Sequence, residues 1–128
     1  MAIEFEVHRV WADEAGESHF DAYKLPQALK EYAPPARPFF VSDVERATGY
    51  VVIHLPVGWI GEPHPSPRRQ IVFCLSGSIV ITVSDGETRS FRAGEAYLLE
   101  DTSGEGHKAE VTSDVPVTMV LIHMSDPS

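Results

Sequence analysis

From Phe39 onward the chain alternates between short runs rich in β-branched and aromatic residues and small clusters of glycine, serine, aspartate and proline. An all-β sandwich or barrel reads this way in one dimension. Strands are expected near Phe39 to Val41, Tyr50 to Leu55, Gln70 to Leu75, Ser78 to Val83, Thr88 to Phe91, Ala96 to Leu99, Gly106 to Val111 and Val117 to Met124. Ser76-Gly77 and Asp85-Gly86 lie between apolar runs and read as hairpin turns, because glycine has no Cβ and takes the positive φ such turns need. Pro34-Pro35 and Pro38 break the chain ahead of this region. The first third opens on an alternating segment, Ile3-Glu-Phe-Glu-Val-His-Arg-Val, and holds one short helical candidate, Leu25 to Tyr32, with Pro26 near its start. The expected organisation is an N-terminal arm, residues 1–35, packed on a barrel of residues 36–128. Many short strands closing on themselves point to a jelly roll, which hides most strand edges and leaves a pocket between two sheets.

The strand from Gln70 carries further information. Residues two apart share a face, so Gln70, Val72 and Cys74 lie on one side and Ile71, Phe73 and Leu75 on the other. Both sides are largely apolar. A strand with one wet side would alternate apolar with polar, so its outer face calls for a cover, either the N-terminal arm or a second subunit, and a homodimer is the expectation.

Composition narrows the function classes. The 128 residues are one domain's worth of chain, and 43% hydrophobic content suffices for a core without disulfide staples. Nineteen acidic against ten basic side chains give a net charge of −9, which makes nucleic acid and anionic membrane surfaces poor partners. One cysteine, Cys74, rules out an internal disulfide framework and a cysteine zinc cluster, and fits a reducing compartment. The longest charge-free run, Ala47 to Gly61, contains Pro56 and Gly58 and is shorter than the roughly 18 residues of a membrane helix. The opening MAIEFEVHRVWADE lacks the basic start and apolar stretch of a signal peptide. A cytoplasmic protein is expected.

Two stretches concentrate the unusual residues: Gly58 to Gly77, with His64, Ser66, Arg68 and Gln70, and Phe91 to His107, with Gly94-Glu95 and a Gly-rich approach to His107. The first resembles the first motif of the cupin superfamily, G(X)5HXH(X)3-4E(X)6G. Gly58, His64 and Gly77 match in place, while Ser66 stands where the second histidine would be and Gln70 where the glutamate would be. The second motif, G(X)5PXG(X)2H(X)3N, is matched more loosely by Gly94-Glu95 and by His107, with a loop two residues longer and without its proline and asparagine. Gly16-Glu-Ser-His-Phe20, His64 to Gln70 and Glu100-Asp-Thr-x-Gly-x-Gly-His107 are similar to signatures of a group of small single-domain bacterial cupins. The resemblance implies a double-stranded β-helix, a jelly-roll barrel that often dimerises and commonly holds a divalent metal through three histidines and a glutamate. Cupin activities include dioxygenation, isomerisation, decarboxylation and plain ligand binding, so fold analogy does not select one.

Two imidazoles and an oxygen donor can hold an open-sided Fe, Mn, Ni or Zn ion. His64, Gln70 and His107 could form that face. The glutamine carbonyl is a neutral donor, so such a site would bind metal more weakly than one with a glutamate and would favour an anionic ligand. Glu62, two residues from His64, is a candidate to supply the missing carboxylate. In a regular strand Arg68 would share a side with His64, Ser66 and Gln70 and reach a ligand carboxylate or enolate at the pocket mouth, while Arg69 faced away. Plainer roles stand beside these. His64 could donate to a backbone carbonyl, Gln70 could satisfy a buried polar position, His107 could cap a loop, and both arginines could pair with surface acids.

The other candidates carry less. His54 and His123 lie inside apolar strands, and His19 has no derivable chemistry. Cys74 in an apolar strand is a small hydrophobe with a raised thiol pKa, not a nucleophile. Ser66 has no convincing triad partners and could present its hydroxyl to the pocket. Thr102-Ser-Gly-Glu-Gly106 lacks the lysine of a phosphate loop, so no nucleotide is expected. The functional expectation is a small cupin binding a divalent metal and a small anionic molecule, a dioxygenase or isomerase if it is catalytic. The alternative is a metal-free, non-catalytic ligand-binding cupin with a sensor or regulatory role.

Overall fold

A computed structural model describes residues 3–126 of the protein. Every regular element among them is a strand: β1 (Ile3–Ala12), β2 (Ser18–Lys30), β3 (Phe39–Val41), β4 (Ala47–Leu55), β5 (Ile60–His64), β6 (Gln70–Ser76), β7 (Ser78–Val83), β8 (Thr88–Arg92), β9 (Ala96–Leu99), β10 (His107–Val111) and β11 (Val117–Met124). They form a seven-stranded sheet in the order β3-β2-β1-β9-β6-β11-β4 and a four-stranded sheet in the order β5-β10-β7-β8. This is the expected all-β jelly-roll barrel, two sheets facing across one core. No helix among the described residues is long and apolar enough to cross a membrane.

Two-residue alternation builds the core. In β7, Ile79, Ile81 and Val83 are buried and the residues between them are half-buried, as a sheet with one face on the core requires. In β10 the inward set is His107, Ala109 and Val111, so His107 points the same way as core residues. Opposite them the large sheet contributes Val72 and Cys74 from β6, Tyr97 and Leu99 from β9, and Val117 and Met119 from β11. The other face of the large sheet carries a second cluster, Val7, Ile71 and Leu98, flanked by Phe5, Tyr23 and Leu25 from the N-terminal strands. The outward Ile71 is thus covered from within the chain, whereas Leu75 at the far end of β6 is exposed.

The helical candidate at Leu25 to Tyr32 is strand as far as Lys30. Burial along β2 alternates residue by residue from Asp21 to Gln27, and β1 pairs with it from Ile3↔Gln27 to Ala12↔Ser18. A long antiparallel ladder satisfies every second backbone group of this stretch, which outweighs a short helical pattern interrupted by Pro26. The first 30 residues therefore contribute two strands to the large sheet, and β1 joins β9 in parallel, with Val7↔Ala96 to Val10↔Leu99 in register. The sequence reading also passed over β5. Gly61 and Pro63 disfavour strand, but β5 lies at the edge of the small sheet, where proline's missing N–H is tolerated.

Candidate functional site

His64 ends β5, His107 begins β10, and the two are cross-strand partners in the small sheet. The ladder shifts register just after this pair, between His107 and Ala109, and a bulge there re-aims side chains. The ring centres are 5.0 Å apart with the planes inclined at 49°. Each ring is anchored through Nδ1. His64 Nδ1 donates to the Glu62 carbonyl at 2.6 Å, and His107 Nδ1 donates to Asp101 Oδ2 at 2.6 Å. An Nδ1 that donates leaves the neutral ring with its lone pair on Nε2. The carbonyl and the carboxylate thus fix the same tautomer in both rings.

Both rings line a cavity of about 180 Å3 between the sheets. Its wall is otherwise mostly apolar and includes Trp59, Tyr97, Met119 and Leu121. His107 is buried and His64 exposed, so His64 stands at the opening. Burial holds the Tyr97 hydroxyl well above its ordinary pKa, and it donates to Met119 Sδ at 3.6 Å; it is a neutral wall residue. A larger trough, about 610 Å3, lies on the opposite face of the large sheet. Neither imidazole lines it. There Arg9 and Arg69 hold the two oxygens of Glu100 at 3.0 and 2.7 Å, so Arg69 faces away from the imidazoles.

Ser66 and Gln70 line the same cavity as the two histidines, so four of the six residues singled out from the sequence come together. Gln70 Nε2 donates to Ser66 Oγ at 3.2 Å, and Ser66 Oγ donates to the Arg68 carbonyl at 2.6 Å. This orientation leaves the Gln70 amide oxygen as the acceptor available to a ligand. Glu62 and Arg68 are not brought in: both are exposed and neither side chain lines the cavity. Strand parity fails for Arg68 because residues 65–69 form a loop between β5 and β6, and the residue serves through its carbonyl. Glu62 likewise serves through its carbonyl, as the anchor of His64.

The residue that sequence reasoning missed is Asp101. It is fully buried six positions before His107, and a lone aspartate following Tyr97-Leu-Leu-Glu was the available signal. The loop between Asp101 and His107 is braced by the N-terminal hairpin. Glu105 N–H donates to the Gly16 carbonyl at 2.9 Å, and the buried Ser18 Oγ donates to the Gly106 carbonyl at 2.6 Å while accepting from Ser84 N–H at 2.7 Å. Gly106 has a φ of 74°, and a Cβ there would run into the His64 backbone. Only glycine lets this loop lie against β5. The Gly16 to Phe20 segment, mute in the sequence, thus holds the loop that presents His107. Cys74 is buried, its thiol pushed up by that burial, and is not part of the cavity wall.

Among the described residues no cluster of three or more His, Cys, Asp and Glu side chains is placed to hold a metal. A cation here would rest on two imidazoles and neutral oxygen donors. Three features suit one. Two imidazoles sharing an ion about 2.1 Å from each nitrogen, at an angle near 100°, have ring centres roughly 5 Å apart, as these do. Both Nε2 atoms are left as donors. Asp101 Oδ1 is buried without a hydrogen-bond partner, and a buried carboxylate with one bond calls for nearby positive charge. A carboxylate behind a ligating histidine is a recurrent arrangement at metal sites. The residues present therefore fit a divalent ion.

A comparison with curated proteins returned no match. Among solved structures, the chain is similar to the cupin domain of Cnp3 from Schizosaccharomyces pombe, with 16% identity, 98% of this chain and 84% of that one covered, and a TM-score of 0.51. A conserved Streptococcus pyogenes protein of unknown function has 23% identity, coverage of 68% and 72%, and a TM-score of 0.48. A cupin protein from Bacteroides fragilis has 22% identity, coverage of 78% and 89%, and a TM-score of 0.44. Identities this low speak to fold alone, and only the first score reaches 0.5. The Cupin domain family matches residues 51–123, more than half of the protein, from within β4 to near the end of β11, the stretch that holds the paired imidazoles. The chain belongs to the cupin family.

Proposed function

We propose that this cupin binds a divalent metal at His64 and His107 and a small anionic organic molecule beside it. The observation that carries the proposal is the matched pair of imidazoles, each with Nδ1 tied down and Nε2 left for a ligand. The two histidines would hold the ion through Nε2, with the Gln70 amide oxygen as a neutral third donor. Asp101 would fix the His107 ring and supply the negative charge that the family's glutamate carries elsewhere. A divalent ion (+2) with Asp101 behind it (−1) leaves one positive charge, which a carboxylate or enolate would neutralise. The cavity, about 180 Å3, lies below the roughly 300–1,000 Å3 of drug-sized sites, so the molecule is small. Its apolar wall excludes water from the bound group. When bound, the metal supplies Lewis acidity, the property that dioxygenation or enolate isomerisation requires. The single cysteine, free and buried, agrees with a cytoplasmic location, which is part of the proposal.

The test is elemental analysis of protein purified without a histidine tag or chelator. Near-stoichiometric Fe, Mn, Ni or Zn is expected, with loss in both His64→Ala and His107→Ala. A well-folded wild type that neither carries nor takes up a divalent ion would end the metal reading.

A second reading has its own observation. Gln70 and Ser66, the positions that depart from the cupin ligand pattern, are hydrogen-bonded to each other, which favours a metal-free site that binds an organic ligand directly. It predicts thermal stabilisation by small carboxylates that persists in excess EDTA, whereas the metal reading predicts that EDTA abolishes it.

A further inference from the structure

The trough on the outer face of the large sheet has no part in the metal reading, and at about 610 Å3 it falls within the roughly 300–1,000 Å3 of small-molecule sites. Strand parity builds its floor. Ile71 and Leu98 lie buried at the bottom, and Tyr23, Leu25, Phe73 and Ile122 stand half-buried around them, each on the side of its strand that faces away from the barrel core. One wall comes from a connection. β3 and β4 lie at opposite ends of the seven-stranded sheet, so the segment that joins them, residues 42–46, has to cross the sheet. Ser42, Asp43 and Glu45 line the trough, which places the crossing on this outer face. Beyond the end of β11, Ser125 N–H donates to the Arg46 carbonyl at 3.2 Å and ties the crossing segment down.

The charges around the trough identify the ligand. Asp21, Asp43, Glu45 and Glu100 line it against Arg9 and Arg69, four carboxylates to two guanidiniums and a net charge of −2. Both arginines are already engaged. Arg9 donates to both oxygens of Asp21 and to Glu100, and Arg69 donates to Glu100 and to the Ser125 carbonyl. These pairs balance one for one, so the surplus sits on the crossing segment. Asp43 and Glu45 are exposed, and among the described residues neither carboxylate has a hydrogen bond or an ion pair; Asp43 meets Ser42 only through its main-chain carbonyl. The surplus reaches the floor. Burial first, and then Glu100 and Glu45, raise the Tyr23 hydroxyl above its ordinary pKa, with Glu100 outweighing Arg69 and Glu45 outweighing Arg9. Unpaired carboxylates over an apolar, aromatic floor are what an organic ammonium ion requires: the acids meet its charge, an aromatic face adds cation–π attraction, and apolar groups take its body. An anion would meet only repulsion from Asp43 and Glu45, and a neutral molecule would gain nothing from them.

We propose that this trough is a second ligand site, for a small organic cation: an ammonium group on an apolar body, its charge toward Asp43 and Glu45 and its body on Ile71, Phe73 and Ile122. This inference does not depend on the metal proposal. No residue lines both the trough and the inner cavity, and the two sites call for ligands of opposite charge.

The test is a titration of the isotope-labelled full chain, followed by amide chemical shifts, with three probes of similar shape: 2-phenylethylamine, a cation at neutral pH, the neutral 2-phenylethanol, and the anion 3-phenylpropionate. The amine is expected to give saturable shifts in residues 21–25, 42–47 and 122–124 and to bind about 5- to 10-fold more tightly than the alcohol. The propionate should leave these residues unmoved. The double variant Asp43→Asn and Glu45→Gln, at exposed side chains that support no other contact, should keep the wild-type spectrum elsewhere and lose most of the amine's advantage. Absence of saturable shifts in these residues overturns the proposal, as do amine shifts confined to residues 64–70 and 107, equal binding of amine and alcohol, or a double variant that keeps the full preference. So does a trough filled by a second copy of the chain, seen as twice the mass of one chain in light scattering with the amine excluded. Failure of the metal reading would leave all of these results unchanged.

Discussion

Asp101 is the side chain on which the proposed metal site turns. It is fully buried, it holds His107 Nδ1 at 2.6 Å, and its other oxygen has no hydrogen-bond partner. Replacing it with asparagine keeps the volume but removes the charge and frees the ring to change tautomer. The Asp101→Asn variant should fold and should bind divalent metal some 10- to 100-fold more weakly, the usual loss when a carboxylate behind a ligating histidine is removed. Titration calorimetry measures this, and unchanged affinity would show that the carboxylate has no part in the site. Ser18 acts at one remove. Ser18→Ala strands the Gly106 carbonyl and the Ser84 N–H, both satisfied by one hydroxyl. Leaving buried polar groups unpaired costs about 1–3 kcal/mol each, so urea denaturation should show a loss of at least that order, with metal affinity lowered as the Asp101 to His107 loop loosens.

At the scale of elements, His19 ties the turn after β1 to the turn between β7 and β8. Its Nε2 meets Asp13 Oδ2 at 2.7 Å and its Nδ1 meets Asp85 Oδ2 at 2.9 Å, an arrangement that only the imidazolium satisfies on both sides. The hydrogen bond to Asp13, and then that to Asp85, raise the His19 pKa. Asp13 is lowered chiefly by His19, and Asp85 chiefly by the Glu87 N–H and then by His19. A raised histidine stabilises the fold completely below its unfolded pKa, about 6.5, and loses that contribution as pH climbs through the folded value. The lowered aspartates contribute above about pH 3.9 and lose their share as pH falls through their folded values. The difference in Tm between wild type and His19→Gln should therefore be largest from about pH 4 to 6.5 and shrink on the alkaline side. A difference that is flat with pH would mean that the contact is not ionic.

The same scale shows what the sequence could and could not disclose. Ser78–Val83 and Val117–Met124 were legible to the residue, because short β-branched, apolar runs bounded by glycine, serine, aspartate and proline turn residues read as strands. β5 was hidden by Gly61 and Pro63, which an edge position excuses, and the end of β2 by a short run compatible with either period. His64, Ser66, Gln70 and His107 were legible through motif spacing. Arg68 was misplaced because parity was carried across residues 65–69, where the chain is not extended. Asp101 carried only a faint mark in one dimension, an aspartate after Tyr97-Leu-Leu-Glu, since only the fold sets it behind a ring six residues away.

At the scale of the whole molecule, two sheets enclose one core, and the small sheet's edge pair, β5 and β10, brings its two imidazoles to the mouth of that core. The barrel thus does the placing, and on the proposed reading the departures at Ser66 and Gln70 would set how strongly a metal is held. The central claim is that His64 Nε2 and His107 Nε2 converge on one divalent cation. Anomalous diffraction from crystals grown with Mn2+ or Zn2+ tests it most directly. The account predicts a single strong peak between the sheets, within about 2.0–2.4 Å of both Nε2 atoms. Paired rings in clear density with no peak between them, or an ion bound only elsewhere on the protein, would contradict it.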